Sequence, residues 1–358
     1  MKTVRNRIGV LLLVFCFALV SCIITSTPTP APIPTTPPPG PGQNWLEIYF
    51  TNPTDPAAHN YQGGIDEDLA AAIDAARLSV DVAIYNLNLW SLRDALIDAQ
   101  HRGVTVRMVM ESDNMDGEEV QQLLDAGIPV VGDQREGLMH NKYVVIDRSE
   151  VWTGSMNYTT NGAYLDNNNL LRVRVDKLAQ NYSTEFEEMF TDRLFGPEKV
   201  SATPYPRLFL DGTTVENYFS PDGGIANRIV ELVRGAKKNI HFMAYSFTSD
   251  EIGQAIRDQA FAGITVSGVM DDGQINSNEG TEYDLFQQMG VDVRRDGIAG
   301  LMHHKVIIID ESIVITGSYN FTNSAETRND ENVIIIFNAD VAAQYMNEFW
   351  RVYPMAKP

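Results

Sequence analysis

Cysteine is all but missing from this chain. Its two cysteines, Cys16 and Cys22, both fall within the first 22 residues. The rest can form no disulfide framework and no thiolate metal site. Long apolar runs are missing too. The one candidate, Ile8 to Val20, has 13 residues, short of the roughly 20 that cross a bilayer as a helix. Basic residues are scarce, 27 against 47 acidic, for a net charge of −20. A field of that sign repels DNA, RNA and anionic membrane surfaces, which argues against a protein that coats nucleic acid non-specifically. Proline is not scarce but unevenly placed. Eight of 17 lie between Ile23 and Asn44, a stretch without a charged residue.

These features shape the N-terminus. Lys2, Arg5 and Arg7 followed by the apolar run have the layout of a secretory signal. The run closes on Leu19-Val20-Ser21-Cys22. This resembles the bacterial lipobox, which implies cleavage before Cys22 and lipidation of its thiol. An ordinary signal peptide cut at small residues is the alternative. Loss of residues 1–21 would leave 24 basic side chains against 47 acidic, a net of −23. The Thr/Pro stretch favours extended polyproline II, and at about 3.1 Å per residue it reaches on the order of 70 Å. It reads as a tether. The expected organisation is a signal peptide over 1–21, a lipidated Cys22 and tether over 22–44, and two lobes over 45–200 and 201–358. The expected location is exported and lipid-anchored at the bacterial cell surface or envelope.

The body has ordinary globular composition, with 44% hydrophobic and 21% charged residues overall. It is long enough for two domains, each with its own core. One pattern occurs twice: His140, Lys142 and Asp147 in HNKYVVID, and His303, Lys305 and Asp310 in HHKVIIID. A small polar cluster follows each, Gly154, Ser155 and Asn157, then Gly317, Ser318 and Asn320, at one constant offset of 163 residues. The similarity extends outwards. LEIYF from Leu46 matches VENYF from Val215, and SVDVAIYNLN from Ser79 matches NIHFMAYSFT from Asn239. Helix-like segments flank the second pair of runs, Ile65 to Ala76 and Ile225 to Ala236 before it, and Ser91 to Gln100 and Glu251 to Ala260 after it. Gly103 matches Gly263 at an offset of 160, so the second half gains three residues before Gly290. The segment from Asp272 to Tyr283 is the candidate loop for that gain, and a candidate lid. Strand-like runs alternating with helical ones predict an α/β fold, duplicated.

Strand side chains alternate faces, so His140 and Lys142 are expected to point one way, as are His303 and Lys305. Asp147 and Asp310 lie an odd number of residues away, at strand ends where aspartate commonly caps turns. Histidine and lysine are therefore assigned to chemistry, and aspartate to structure. Histidine suits nucleophilic or general acid work near neutral pH, and lysine can hold a phosphate oxygen as a point charge. Asn157 and Asn320, placed on the strand after the hairpin, can add amide donors. Two such half-sites facing each other would cradle a tetrahedral phosphate. One histidine attacks phosphorus and the other protonates the leaving oxygen. Water then attacks the phosphohistidine.

These residues resemble the phospholipase D superfamily, whose mark is the His-x-Lys-x4-Asp motif. The resemblance implies a two-lobed α/β sandwich with one active site between the lobes, a phosphohistidine intermediate, and no metal or other cofactor. It implies His140, Lys142, Asn157, His303, Lys305 and Asn320 as catalytic and phosphate-binding residues, with Ser155 and Ser318 as structural members of the motif. Family members often carry an acidic partner for a catalytic histidine, and Glu331 matches that place. Its counterpart in the first half is Asn168, which carries no charge; Asp166 is the possible substitute, if it lies on the same strand face. Glu331 could support His303 or reach across to His140. By analogy with two-motif members, His140 is the nucleophile. His304 reads as a supporting residue, and His59, His101 and His241 have no motif context. The histidines do not cluster apart from the two motifs, so no metal site is expected.

The motif does not separate lipid from nucleic-acid substrates. A membrane tether and an acidic body favour hydrolysis of a phospholipid such as phosphatidylcholine, by a monomer with internal pseudo-twofold symmetry. An exported metal-independent endonuclease is the alternative, and a non-catalytic scaffold a third, disfavoured by intact His and Lys in both halves.

Overall fold

The computed structural model describes residues 45–200 and 202–357. Cys22, the signal segment and the whole tether lie outside the described residues. Two sheets account for all the strands described. The first runs β1 (Leu46–Phe50), β2 (Ser79–Ile84), β3 (Thr105–Met110), β4 (Val130–Gly132), β5 (Lys142–Ile146), β6 (Glu150–Gly154) and β7 (Asn169–Val173). Its spatial order is β1-β7-β6-β5-β2-β3-β4. The second contains β8 (Arg207–Leu210), β9 (Thr213–Ser220), β10 (Asn239–Ala244), β11 (Thr265–Met270), β12 (Asp292–Arg295), β13 (Lys305–Ile309), β14 (Ile313–Gly317) and β15 (Glu331–Phe337). Read from its β8 edge, it repeats the order of the first sheet with β8 added. In both, three strands are parallel and the rest antiparallel.

Helices α1 (Ile65–Asp74), α2 (Trp90–His101) and α3 (Glu118–Asp125) belong to the first half, with α4 (Thr160–Tyr164) and α5 (Asp176–Phe190) after the hairpin. The second half has α6 (Ile225–Arg234), α7 (Asp250–Phe261), α8 (Asp272–Ser277), α9 (Glu282–Gln288), α10 (Asn323–Thr327) and α11 (Ala339–Val352). The expected lid loop at Asp272 to Tyr283 is thus a correction: most of it is helix. The inserted residues extend a short 3-10 turn, Ser112–Asn114 in the first half, into α8. Asp271 caps α8 by accepting from the Gln274 N–H at 2.8 Å.

Strand periodicity sorts the core. Val80, Val82 and Ile84 pack with Leu69 of α1 and Leu92 of α2. Their neighbour Ala83 joins Tyr143, Val145, Val306 and Ile308 in a core that includes both sheets, α5 and α11. Burial on both faces explains why these strands read as nearly unbroken apolar runs. A polar seam ties the lobes within this core. The Thr153 hydroxyl donates to Asn332 Oδ1, and Asn169 Nδ2 donates to the Thr316 hydroxyl, both at 2.7 Å. The two bonds join equivalent positions, so the seam follows the pseudo-twofold.

Asp147 and Asp310 sit in left-handed conformation, φ 51° and 54°, at the β5–β6 and β13–β14 turns. Their carboxylates turn back to the neighbouring connection. Asp147 accepts the N–H groups of Arg77, Leu78 and Ser79 at 2.7–3.1 Å. Asp310 accepts those of Lys237, Lys238 and Asn239 at 2.6–3.2 Å. Each aspartate therefore secures the entry of β2 or β10 as well as a hairpin. Asp147→Ala and Asp310→Ala should each lower unfolding free energy by about 1–3 kcal/mol, since three donors lose a charged acceptor. Urea unfolding checks this; unchanged midpoints in both variants would refute the role.

Candidate active site

The two motif histidines stand just before their strands. Regular pairing begins at Lys142 and Lys305, so strand parity alone does not align His140 with Lys142. Short stretches ahead of the strands cross to the other lobe instead. The His140 N–H donates to the Asp330 carbonyl, and the His303 N–H to the Asn167 carbonyl, both at 3.0 Å. The Asp330 and Asn167 N–H groups return bonds to the Leu138 and Leu301 carbonyls at 2.8 Å. Each histidine is thereby set in the strand entry of the opposite half.

The side chains cross as well. His140 Nδ1 lies 2.8 Å from Glu331 Oε2, and His303 Nδ1 lies 2.9 Å from Asn168 Oδ1. Proton positions follow from the serines. The Ser318 hydroxyl oxygen accepts the Asn332 N–H at 3.0 Å, so its proton goes to Glu331 Oε2, at 2.6 Å. Ser155 accepts the Asn169 N–H at 3.1 Å and donates to Asn168 Oδ1 at 2.8 Å. Both oxygens are acceptors, which makes each Nδ1–H the donor. The Nε2 lone pairs are left for chemistry. Gly154 and Gly317 make room for this arrangement: a Cβ there would lie 2.3 and 2.2 Å from the Asn169 and Asn332 carbonyl oxygens.

Lys142 and Lys305 are 0% and 1% exposed, and His140 and His303 only 6% and 5%. Each lysine Nζ donates to its own histidine's carbonyl at 2.8 Å. Burial lowers the Lys142 ammonium to about 7, with the Glu331 carboxylate opposing. Burial also lowers Lys305 well below its ordinary value, and Lys142 adds to this. Both histidines are held well below theirs by burial first, then by the two lysines. Glu331 is raised to about 8 by burial, against the pull of Lys142, the Ser318 hydroxyl and Lys305. That each lysine acts on both histidines marks one site, short of negative charge and ready for an anion.

Several expectations need correction. Asn157 and Asn320 are in loops just past β6 and β14, not on a following strand. Each has a buried side-chain oxygen without a partner. Asp166 does not substitute for Glu331. It precedes β7, and its carboxylate accepts the Leu301 N–H at 2.9 Å, bracing the loop before His303. Asn329 holds the equivalent Leu138 N–H at 3.2 Å. His304 is buried, with Nε2 3.0 Å from Glu348. His241 packs on Phe349 and Trp350, and His59 and His101 are at the surface. Among the described residues, no group of three or more His, Cys, Asp or Glu could hold a metal ion.

Two further matched pairs, absent from the motif itself, line the site. Tyr85 lies against His140, ring centroids 5.0 Å apart, and Tyr245 against His303 at 4.8 Å. Lys142 and Lys305 Nζ lie 5.2 and 4.8 Å from the same rings. Glu111 accepts the Met139 N–H at 2.9 Å and Asp271 the Met302 N–H at 3.1 Å. Both pairs keep the offset of 160, which was the available signal.

Two lobes that each supply a histidine, a lysine and a hydrogen-bonding partner to one buried cationic site define a phosphoryl-transfer enzyme. The comparisons agree. A family model described as "Cardiolipin synthase, PLD-like domain" matches residues 69–190 and 229–353. The chain belongs to the phospholipase D superfamily and is a phosphodiesterase of that type. A phospholipase D of Rickettsia prowazekii is 32% identical over 165 residues, 46% of this chain and 80% of that protein. A mitochondrial cardiolipin hydrolase of Chlamydomonas reinhardtii is 30% identical over 131 residues, 37% of this chain and 58% of that protein. Among solved structures, phosphatidylserine synthase of Haemophilus influenzae Rd KW20 aligns with TM-score 0.64 at 13% identity, over 86% of this chain and 85% of that one. At that identity the likeness speaks for the fold.

The lowered lysines generate a pH prediction. Below about 7 Lys142 is charged in the empty site; above it, an anion must recruit the proton on binding. Sulfate, whose charge is constant across this range, should bind with proton uptake at alkaline pH. Its affinity should fall by up to about tenfold per pH unit above neutrality. Calorimetry in buffers of different ionisation enthalpy measures both; pH-independent affinity would refute the shift.

Proposed function

We propose that this protein is a phospholipase D that hydrolyses the head-group phosphodiester of a phospholipid, such as phosphatidylcholine to phosphatidate and choline. The observation that carries the mechanism is the unequal pairing, His140 with a carboxylate and His303 with an amide. Attack by His140 Nε2 on phosphorus creates a phosphorylated imidazolium that keeps its Nδ1–H. The new cation favours the ionised form of the Glu331 carboxyl beside it, which burial otherwise holds at about 8, and the carboxylate compensates the charge. Binding of the anionic phosphodiester lets His303 take up a proton at Nε2, and with no anion behind it the imidazolium gives that proton readily to the departing head-group oxygen. In the second step His303 takes a proton from water as the water oxygen attacks phosphorus, releasing phosphatidate and free His140. Lys142 and Lys305 hold the non-bridging oxygens, and the Asn157 and Asn320 amides, turned to present N–H, add donors.

The lipid reading is supported by the net charge of −20, which disfavours polyanions, and by relatives named phospholipase D and cardiolipin hydrolase. A lipid anchor at Cys22 would keep the enzyme beside its substrate. The test offers the purified protein labelled phosphatidylcholine, phosphatidylglycerol and single-stranded DNA, with EDTA present. Head-group release without DNA cleavage supports the proposal; DNA cleavage without head-group release overturns it in favour of an exported endonuclease. His140→Ala and His303→Ala should each reduce turnover at least about 10³-fold, because nucleophile and acid act as a unit. Phosphoenzyme should be trapped with native His140 and never in His140→Ala. Near-native turnover in either variant would break the one-site model.

A further inference from the structure

The two halves of the site match except where the second half has its inserted residues. In the first half Asn114 donates to the Tyr85 backbone carbonyl at 2.8 Å. Its equivalent at offset 160, Gln274 of α8, donates to the Tyr245 side-chain oxygen, Nε2 to Oη 3.1 Å. The orientation of this amide is set by its surroundings. Gln274 Oε1 accepts from Asn278 Nδ2 at 3.1 Å, so Nε2 is the end left for Tyr245. Asn278 Nδ2 also donates to the Ser246 hydroxyl at 2.8 Å. With its oxygen already accepting from Gln274, Tyr245 keeps its own O–H proton for donation. Its ring is the wall beside His303 and Lys305. Asn114 also bonds the Tyr85 side chain, but among the described residues no first-half side chain holds Asn114 as Asn278 holds Gln274.

In-line displacement gives that wall a specific meaning. If His140 attacks, the leaving oxygen departs on the opposite side, towards His303. We infer that Tyr245, held by Gln274 and Asn278, is a specificity-determining wall for the leaving group, selecting among alcohols that can accept the tyrosine hydroxyl and fit against α8. The inference rests on the phospholipase reading with His140 as nucleophile. It assigns α8 to head-group choice and the Tyr85 side to the part of the substrate retained on phosphorus. Breakdown of the phosphohistidine follows departure of the head group, so it is common to all substrates that share the retained group.

The test uses the full protein with phosphatidylcholine and phosphatidylglycerol in one mixed micelle, so that competition reads the ratio of their kcat/KM values directly. The glycerol hydroxyls can accept the tyrosine O–H, and the trimethylammonium of choline cannot. Gln274→Ala and Tyr245→Phe should each shift that ratio by about tenfold, the size expected for one differential polar contact. The rate of phosphoenzyme breakdown should stay within about twofold. Asn278→Ser, which removes the bonds to Gln274 and Ser246 and leaves Tyr245 itself intact, should shift the ratio in the same direction and serves if another variant folds poorly. Asn114→Ala is the matched control and should leave the ratio unchanged. Head-group release with an unshifted ratio in the Gln274, Tyr245 and Asn278 variants would overturn the inference while leaving the phospholipase reading intact. An equal shift in Asn114→Ala would also overturn it. A native protein that releases neither head group would overturn both.

Discussion

Everything in this site depends on a crossed exchange of hydrogen bonds between the two halves. Glu331 of the second half holds His140 of the first, and Asn168 of the first holds His303 of the second. The backbone bonds from His140 to Asp330 and from His303 to Asn167 cross in the same way. Neither half could set its own histidine. Separation of the lobes would leave buried donors and a buried carboxylate without partners, which is costly in a low-dielectric interior. The polar seam of Thr153, Asn332, Asn169 and Thr316 serves the same end deeper in the core.

The electrostatics follow from that packing. Two lysines and two histidines share a volume nearly closed to water. Such a group of bases cannot all carry protons, and the lysines and histidines are all held below their ordinary values. An incoming phosphodiester supplies the missing negative charge. Binding and protonation are therefore coupled, and the site is most cationic when it is occupied. The duplication supplies two equal cationic arms; the substitution of Asn168 for a second glutamate makes them chemically unequal.

Much of this was legible in the chain. The constant offset of 163 between His140 and His303, and between Ser155 and Ser318, marks the halves and the candidate site residues. Strand periodicity separated Asp147 and Asp310 from the histidines, and both aspartates bind backbone N–H groups at strand entries. The same parity rule did not extend to His140, because the ladder starts at Lys142 and the preceding residues pair with the other lobe. Asp166 turns away from the histidines for a related reason: two residues from Asn168 is the same face only inside a regular strand, and β7 begins at Asn169. The insertion at Asp272 was located correctly as a gain in length, but its helical form depends on capping by Asp271 and on contacts with Tyr245 and Arg295.

By itself the sequence determined the duplication, the α/β alternation and the pair of His-Lys half-sites, because these follow from local periodicity and internal repetition. Which acceptor serves which histidine, where Asp166 turns, and which wall Gln274 builds were decided by tertiary structure. Those choices turn on distances between residues about 135 and 190 positions apart along the chain. Local physical rules constrain the strands that carry such residues but not their meeting across a lobe interface. The partner of His140 could be seen only once both halves were folded against each other.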